Sequence, residues 1–173
     1  MTKSSLIFKF LFTVDSINRT VGQVTAWLVL FLVLIQFAGV ILRYVFSIGS
    51  IQLQELIWYM HGTFFMLGIG YTLLKDRHVR LDVFYRDVSE TSKALINLLG
   101  SVFLLIPFCI FIWWLSWPFV ITSWAIQETS MEVSGLPFLF LFKTTILVFC
   151  ILLGLQGITL AIKSFYRLRN FTS

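Results

Sequence analysis

Charged residues are scarce in this sequence. Only 12% of its 173 residues are Asp, Glu, Lys or Arg, and 58% are apolar, whereas a soluble domain ordinarily carries about 25% charged residues. This composition excludes an autonomous soluble catalytic domain. The net charge of +5 sits among 19 Phe and 6 Trp, which is unlike a nucleic-acid-binding surface. The sequence therefore indicates a membrane protein, and we expect no nucleic acid among its partners.

Ligands for redox cofactors are equally scarce. The two histidines, His61 and His78, are about 25 Å apart along a continuous helix, so they cannot sandwich one haem within the subunit. The two cysteines, Cys109 and Cys150, lie in the middle of apolar stretches, whereas a disulfide-forming oxidoreductase needs cysteine pairs in its outer loops. We therefore expect no cofactor, no metal site and no catalytic residue, although a one-sided or intersubunit haem ligand stays open.

Long apolar stretches account for most of the chain. A membrane-spanning helix needs about 20 consecutive apolar residues, and four stretches without Asp, Glu, Lys or Arg reach this length. They predict an all-α integral membrane protein, a single membrane domain over residues 1–173, with four transmembrane helices at about 21–42, 56–74, 95–118 and 138–162. The third stretch continues to residue 127, so its helix either ends near Pro118 or protrudes from the membrane toward Trp124.

Residues 1–20 are too short and too interrupted by charge to span a membrane. Their polar side chains recur every three or four residues, which places them along one stripe of a helix. The stripe consists of Ser5, Lys9, Thr13, Ser16 and Thr20. This pattern predicts an amphipathic helix that lies in the membrane interface before the first span.

The distribution of Lys and Arg predicts the orientation. Eleven of the 13 lie near the termini or between the second and third spans, and only Arg43 and Lys143 lie on the other side. Cytoplasmic segments carry the excess of these residues. Both termini and the segment from Lys75 to Lys93 are therefore predicted to be cytoplasmic.

Few polar side chains fall inside the predicted spans. Glu55 opens the second span at its outer end, where the helix dipole favours a carboxylate. Lys143 lies close enough to the outer headgroups to reach them by snorkelling. His61 and Gln36 have similar depths in neighbouring spans, which favours a hydrogen bond between helices over a proton relay.

Small residues mark positions where helices can approach one another closely. In the second and fourth spans these positions are Gly62, Gly68, Gly154 and Gly157. The chain also lacks a charge at the membrane midplane, a pair of broken half-helices and an inverted repeat, which are usual in a self-sufficient transporter. We therefore interpret the chain as a subunit and expect these glycines to contact a partner.

Several short motifs resemble the small permease subunit of tripartite ATP-independent periplasmic (TRAP) transporters, the DctQ-like proteins. They are LRYVF at 42–46, QEL at 54–56, KDRHVRLDVF at 75–84 and GLP at 135–137. The resemblance covers about residues 20–165 and extends to span number and topology.

The resemblance implies a place in a three-part importer of the bacterial cytoplasmic membrane. In such importers a periplasmic substrate-binding protein delivers an organic acid, of C4-dicarboxylate or sialic acid type, to a large permease subunit. The large subunit is an elevator-type transporter driven by an ion gradient, usually of sodium. The small subunit would be a stationary scaffold that contacts the large subunit, the binding protein and membrane lipid without binding substrate. Alternatives are a structural subunit of another membrane enzyme complex and a small homo-oligomeric exporter.

Two groups of polar residues are candidates for the contacts of this subunit. Arg43 and Glu55, at the facing ends of the first two spans, either pair with each other or contact a partner protein. His78, Arg80 and Asp82 alternate with apolar residues, which suits an extended segment with one polar edge. We interpret these three as an interface network, with anchoring to lipid headgroups as the alternative, since a metal site needs more ligands.

The predicted topology is testable by cysteine labelling. In a variant without Cys109 and Cys150, Ser50→Cys is expected to react with a membrane-impermeant maleimide added outside spheroplasts. Ser89→Cys is expected not to react, because the distribution of Lys and Arg places it in the cytoplasm. Labelling of position 89 from outside would contradict the orientation.

Overall fold

The computed structural model describes residues 3–76 and 89–172, and four helices make up most of this part of the chain. They are α1 (Lys3–Tyr44), α2 (Ile51–Leu74), α3 (Glu90–Ala125) and α4 (Leu139–Thr172). The all-α prediction is thus confirmed for the described residues, and helices occupy all four regions that were predicted to span.

Three of the helices, α1, α3 and α4, are long and apolar enough to cross a membrane. α2 has 24 residues, which is about 36 Å at 1.5 Å per residue. Polar residues such as Gln54, Glu55 and His61 lower its apolar content. Its crossing, and with it the full four-span topology, remains a prediction.

α1 is a single helix of 42 residues, about 63 Å long and roughly twice the hydrocarbon thickness of a bilayer. The sequence predicted an interfacial helix over residues 1–20 and a separate span from residue 21. In the structure these two parts form one helix without an interruption. The face opposite the polar stripe, which carries Leu11, Val14 and Asn18, is buried within the chain.

α3 continues through Pro118 to Ala125, so the structure has the predicted extension toward Trp124. Ser101–Leu105 within it is a π-helical segment. Pro107 follows two residues after Leu105, and a proline in a regular helix clashes with the carbonyl four residues before it, here that of Phe103. The π-helical segment, which has a wider turn than an α-helix, therefore lies where Pro107 destabilises the regular α-helix.

α4 is the central helix of the fold, since it packs against α1, α2 and α3. In an apolar stretch of 18 residues of α4, 44% of the residues are buried. The corresponding shares are 6% in α1 and 11% in α3. α1 and α2 are joined by a short connection and pack against each other as an antiparallel pair. α4 thus links the α1–α2 pair to α3.

The four glycines expected at a partner interface or in a structural network lie against other helices of this chain. A Cβ atom added to each would meet Phe142 at Gly62 (2.5 Å), Thr25 at Gly68 (4.0 Å), Cys109 at Gly154 (3.6 Å) and Leu105 at Gly157 (2.7 Å). The sequence shows that these positions permit close approach, but it does not show which helix approaches. These neighbours indicate packing within the chain, and a contact of these glycines with a partner stays a prediction.

Gly22, where α1 packs against Tyr71 of α2, provides a test of this packing. A Cβ atom there would overlap the side chain of Tyr71, with its Cδ1 at 2.7 Å. Gly22→Ala is expected to lower the free energy of unfolding by about 1–3 kcal/mol, the usual cost of overpacking. Gly39→Ala is the matched control, because Gly39 is also in α1 and has nothing within 4 Å of its Cβ position. Thermal unfolding in detergent measures both variants, and equal midpoints would contradict the close contact.

Candidate functional site

Glu55 is a buried carboxylate near the start of α2, where it is 7% exposed. One of its oxygens accepts a hydrogen bond from the Ser130 hydroxyl, and the other accepts one from the backbone N–H of Leu136 at 2.6 Å. Both donors belong to the connection between α3 and α4. Glu55 therefore ties the beginning of α2 to this connection.

Lys143 binds the same connection from α4. Its ammonium group forms an ion pair with Glu128 and lies 3.9 Å from the centroid of the Phe119 ring, where it gains a cation–π attraction. The hydrogen bond from Lys143 lowers the pKa of the Glu128 carboxyl. The lysine side chain is only 13% exposed. The predicted snorkelling of Lys143 is therefore wrong, because its counterion lies inside the chain.

We refer to Glu55, Glu128, Ser130, Leu136 and Lys143 as the connection cluster. It joins α2 and α4 to the segment that follows α3. Its charged groups have partners within the cluster, so these contacts hold the connection in place.

Arg43 does not pair with Glu55 in the part of the chain that the structure describes. It is exposed near the end of α1 and lines a groove of about 270 Å³ with Gln54 and Trp58 of α2. The predicted pair fails because Glu55 is directed to Ser130 and Leu136. The alternative, that Arg43 contacts a partner, stays a proposal.

A second cluster joins α1 to α4. Asn18 is 1% exposed and donates a hydrogen bond from Nδ2 to Oε1 of Gln156 at 2.8 Å. Gln156 donates from Nε2 to Oδ1 of Asp15 at 3.2 Å, and Lys163 donates from Nζ to Oδ2 of Asp15 at 2.6 Å. We refer to these four residues as the α1–α4 cluster.

The hydrogen bonds of this cluster differ in how much they contribute to the stability of the fold. The Lys163 side chain is 42% exposed, and a solvated ion pair stabilises a protein by only about 0–1 kcal/mol. Asn18 is buried, and an unsatisfied buried polar group costs about 1–3 kcal/mol. The Asn18 to Gln156 hydrogen bond is therefore the more important contact.

The α1–α4 cluster was not predicted from the sequence, although the sequence contains a signal for it. Asp15, Asn18 and Thr25 recur at helical spacing on the face opposite the exposed polar stripe. Gln156 and Lys163 are seven residues apart, or about two turns, on α4. Polar residues on the inward face of an apolar helix predict a contact with another helix.

Other residues singled out in the sequence have different positions. His78, Arg80 and Asp82 lie outside the described residues. His61 is exposed on α2, with its ring centroid 4.7 Å from that of Phe65. Gln36 is exposed on α1, and no hydrogen bond joins it to His61 among the described residues. The predicted bond between these two helices is therefore wrong.

Metal-binding side chains are dispersed. In residues 3–76 and 89–172, no three of His, Cys, Asp or Glu are placed to hold a metal ion together. Cys109 and Cys150 are buried free thiols.

Removal of the Glu55 carboxylate tests the connection cluster. In Glu55→Ala the amide hydrogen of Leu136 is expected to exchange at least tenfold faster, because its buried acceptor is lost. Arg43→Ala is the matched control, since Arg43 is exposed and makes no ion pair with Glu55. Hydrogen exchange resolved by mass spectrometry measures both. Equal exchange of Leu136 in the wild type and Glu55→Ala would contradict the assigned contact.

Comparison with known families gives one finding for this arrangement of helices. The family model described as tripartite ATP-independent periplasmic transporters, DctQ component, matches residues 32–168. No curated protein and no solved structure gives a match. The matched range contains α2, α3, the connection cluster and most of α4. The chain therefore belongs to the DctQ family, the small membrane component of the TRAP transporters, as its motifs implied.

Proposed function

We propose that this chain is the stationary scaffold of a TRAP transporter that imports an organic acid. The DctQ component is a part of a transporter and not an enzyme, and in TRAP systems it works with a large permease subunit and a substrate-binding protein. In our proposal the large subunit carries the solute, and this chain holds the fixed part of the assembly in place.

The observation that carries this proposal is the way the chain holds its charged groups. Glu55 is bonded to Ser130 and Leu136, and Lys143 is bonded to Glu128. A group that binds and releases an anionic solute has to exchange partners during transport, whereas these groups are bonded within the chain. Such bonds suit a subunit that keeps its shape.

The two clusters support a rigid subunit because they act at different places on α4. Lys143 is near the beginning of the helix, and Gln156 and Lys163 are in its second half. The clusters therefore fix α4 both to the α3–α4 connection and to α1. An elevator-type movement takes place against a fixed part of the assembly, and in our proposal this chain belongs to that fixed part.

The substrate class in our proposal is an organic acid of C4-dicarboxylate or sialic acid type, and the driving force is an ion gradient, usually of sodium. Both follow from the family resemblance. We further propose four spans with both termini in the cytoplasm, on the basis of the distribution of Lys and Arg.

Uptake by reconstituted vesicles tests the scaffold proposal. Vesicles with the large subunit, this chain, the binding protein and a sodium gradient are expected to take up one of the two acids. Omission of this chain is expected to lower the rate at least tenfold, because the large subunit loses its fixed support. Vesicles with this chain alone are the control and are expected to take up neither acid, whereas a homo-oligomeric exporter would move solute.

Substitutions provide the second arm of this experiment. Glu55→Ala and Lys143→Ala are expected to lower the rate of uptake without changing which of the two acids is taken up. Full uptake by the large subunit alone would contradict the scaffold role. Uptake of the other acid by a variant, at equal yield of the complex, would show that this chain takes part in substrate selection.

A further inference from the structure

α2 has one exposed stripe from Gln54 to Phe65. Its exposed residues recur at steps of four, three and four, namely Gln54, Trp58, His61 and Phe65, and the residues between them from Leu56 to Phe64 are partly buried. Gln36 of α1 lines the same groove as Gln54 and Trp58. We refer to these five residues as the α1–α2 face.

Two polar side chains of this face lie well below the ends of the helices. Gln36 precedes the end of α1 at Tyr44 by about 12 Å, and His61 follows the start of α2 at Ile51 by about 15 Å. The two helix ends are joined by a short connection, so they are at the same level. In the proposed four-span topology, in which these helix ends lie at the outer surface of a hydrocarbon core about 30 Å thick, His61 lies at hydrocarbon depth.

An amide or imidazole at this depth needs a hydrogen-bond partner, because lipid tails supply none. A lipid headgroup is too shallow to supply one to His61. Both side chains are exposed on the surface of the chain, so a partner has to come from another membrane protein.

The outward surface of α3 has a different character. Every exposed side chain from Val102 to Ile121 is aliphatic, aromatic or proline. Such a surface is satisfied by lipid, since lipid is as apolar as these side chains. The two surfaces of the subunit are thus unequal in what they require.

We propose that the large subunit packs on the α1–α2 face, where Gln36 and His61 hydrogen-bond to it, and that the outward surface of α3 faces lipid. This inference rests on the proposed function. It identifies the helices of the small subunit that contact the large subunit and the polar groups that hydrogen-bond to it.

Photo-crosslinking tests the location of the interface. A benzophenone amino acid replaces Phe65 on the α1–α2 face or Phe111 on α3, which are 60% and 54% exposed and so form a matched pair. In the assembled complex, position 65 is expected to crosslink to the large subunit, and position 111 is not. Crosslinking from position 111 alone, a product between two copies of this chain at position 65, or no product with the large subunit at position 65 would overturn the inference.

A steric test uses two glycines whose Cβ positions have nothing within 4 Å. Gly39 lines the groove of the α1–α2 face, and Gly100 lies in α3. A Cβ atom meets no neighbour at either position, and thermal unfolding of the isolated chain checks that Gly39→Trp and Gly100→Trp fold. Gly39→Trp is expected to lower co-purification with the large subunit at least fivefold, and Gly100→Trp is expected to leave it unchanged. Equal yields for the two variants would overturn the inference.

The affinity for the large subunit in detergent tests the hydrogen bonds of Gln36 and His61. His61→Leu and Gln36→Leu are each expected to weaken binding of the large subunit about threefold in detergent, the size of an average hydrogen bond between membrane helices. Thr122→Val on α3 is the control and is expected to bind normally. Unchanged affinity in both Leu variants would contradict the proposed hydrogen bonds to the large subunit. If the wild-type chain does not bind the large subunit at all, the proposed function itself fails, and with it this inference.

Discussion

The hydrogen bond between Asn18 and Gln156 is the contact on which the arrangement of the helices depends. Apolar helices gain little from burying apolar surface in a bilayer, because the surrounding lipid is equally apolar. Their association is determined by close packing and by a few polar contacts. Asn18 is buried and bonded to the central helix α4. A rotation of α1 by one residue, about 100°, would separate Asn18 from Gln156, so this bond fixes both the rotation and the level of α1.

The connection cluster applies the same principle at another place in the fold. Glu55 and Lys143 are charges in largely apolar helices, and each is bonded to the segment after α3. Since an unpaired charge in this environment is expensive, the connection is held where its donors and acceptors meet both helices. Each polar side chain of the two clusters thereby has a hydrogen-bond or ion-pair partner within the chain, whereas Gln36 and His61 are exposed. This difference separates the groups that hold the subunit together from those that we assign to its partner.

The sequence predicted the helical regions because each is a long apolar stretch, and the uneven distribution of Lys and Arg indicated an orientation. It did not predict the partners of Glu55, since these are about 75–81 residues away along the chain and depend on how α2 meets the α3–α4 connection. Lys143 was misinterpreted for a related reason: depth alone favours snorkelling, but the structure supplies Glu128. The continuity of α1 was missed because an interfacial helix and the exposed side of a long helix have the same polar stripe. The glycines indicated close contacts without identifying the helices that make them.

The most direct test of this account is the coupling free energy between Asn18 and Gln156. It is obtained from the unfolding free energies of the wild type, Asn18→Ala, Gln156→Ala and the double variant in one detergent. Hydrogen bonds between membrane helices contribute about 0.6 kcal/mol on average and up to about 1.7 kcal/mol, and the burial of Asn18 predicts a coupling of about 1 kcal/mol or more. Additive effects of the two substitutions, with no coupling, would contradict the claim that this bond holds α1 to α4.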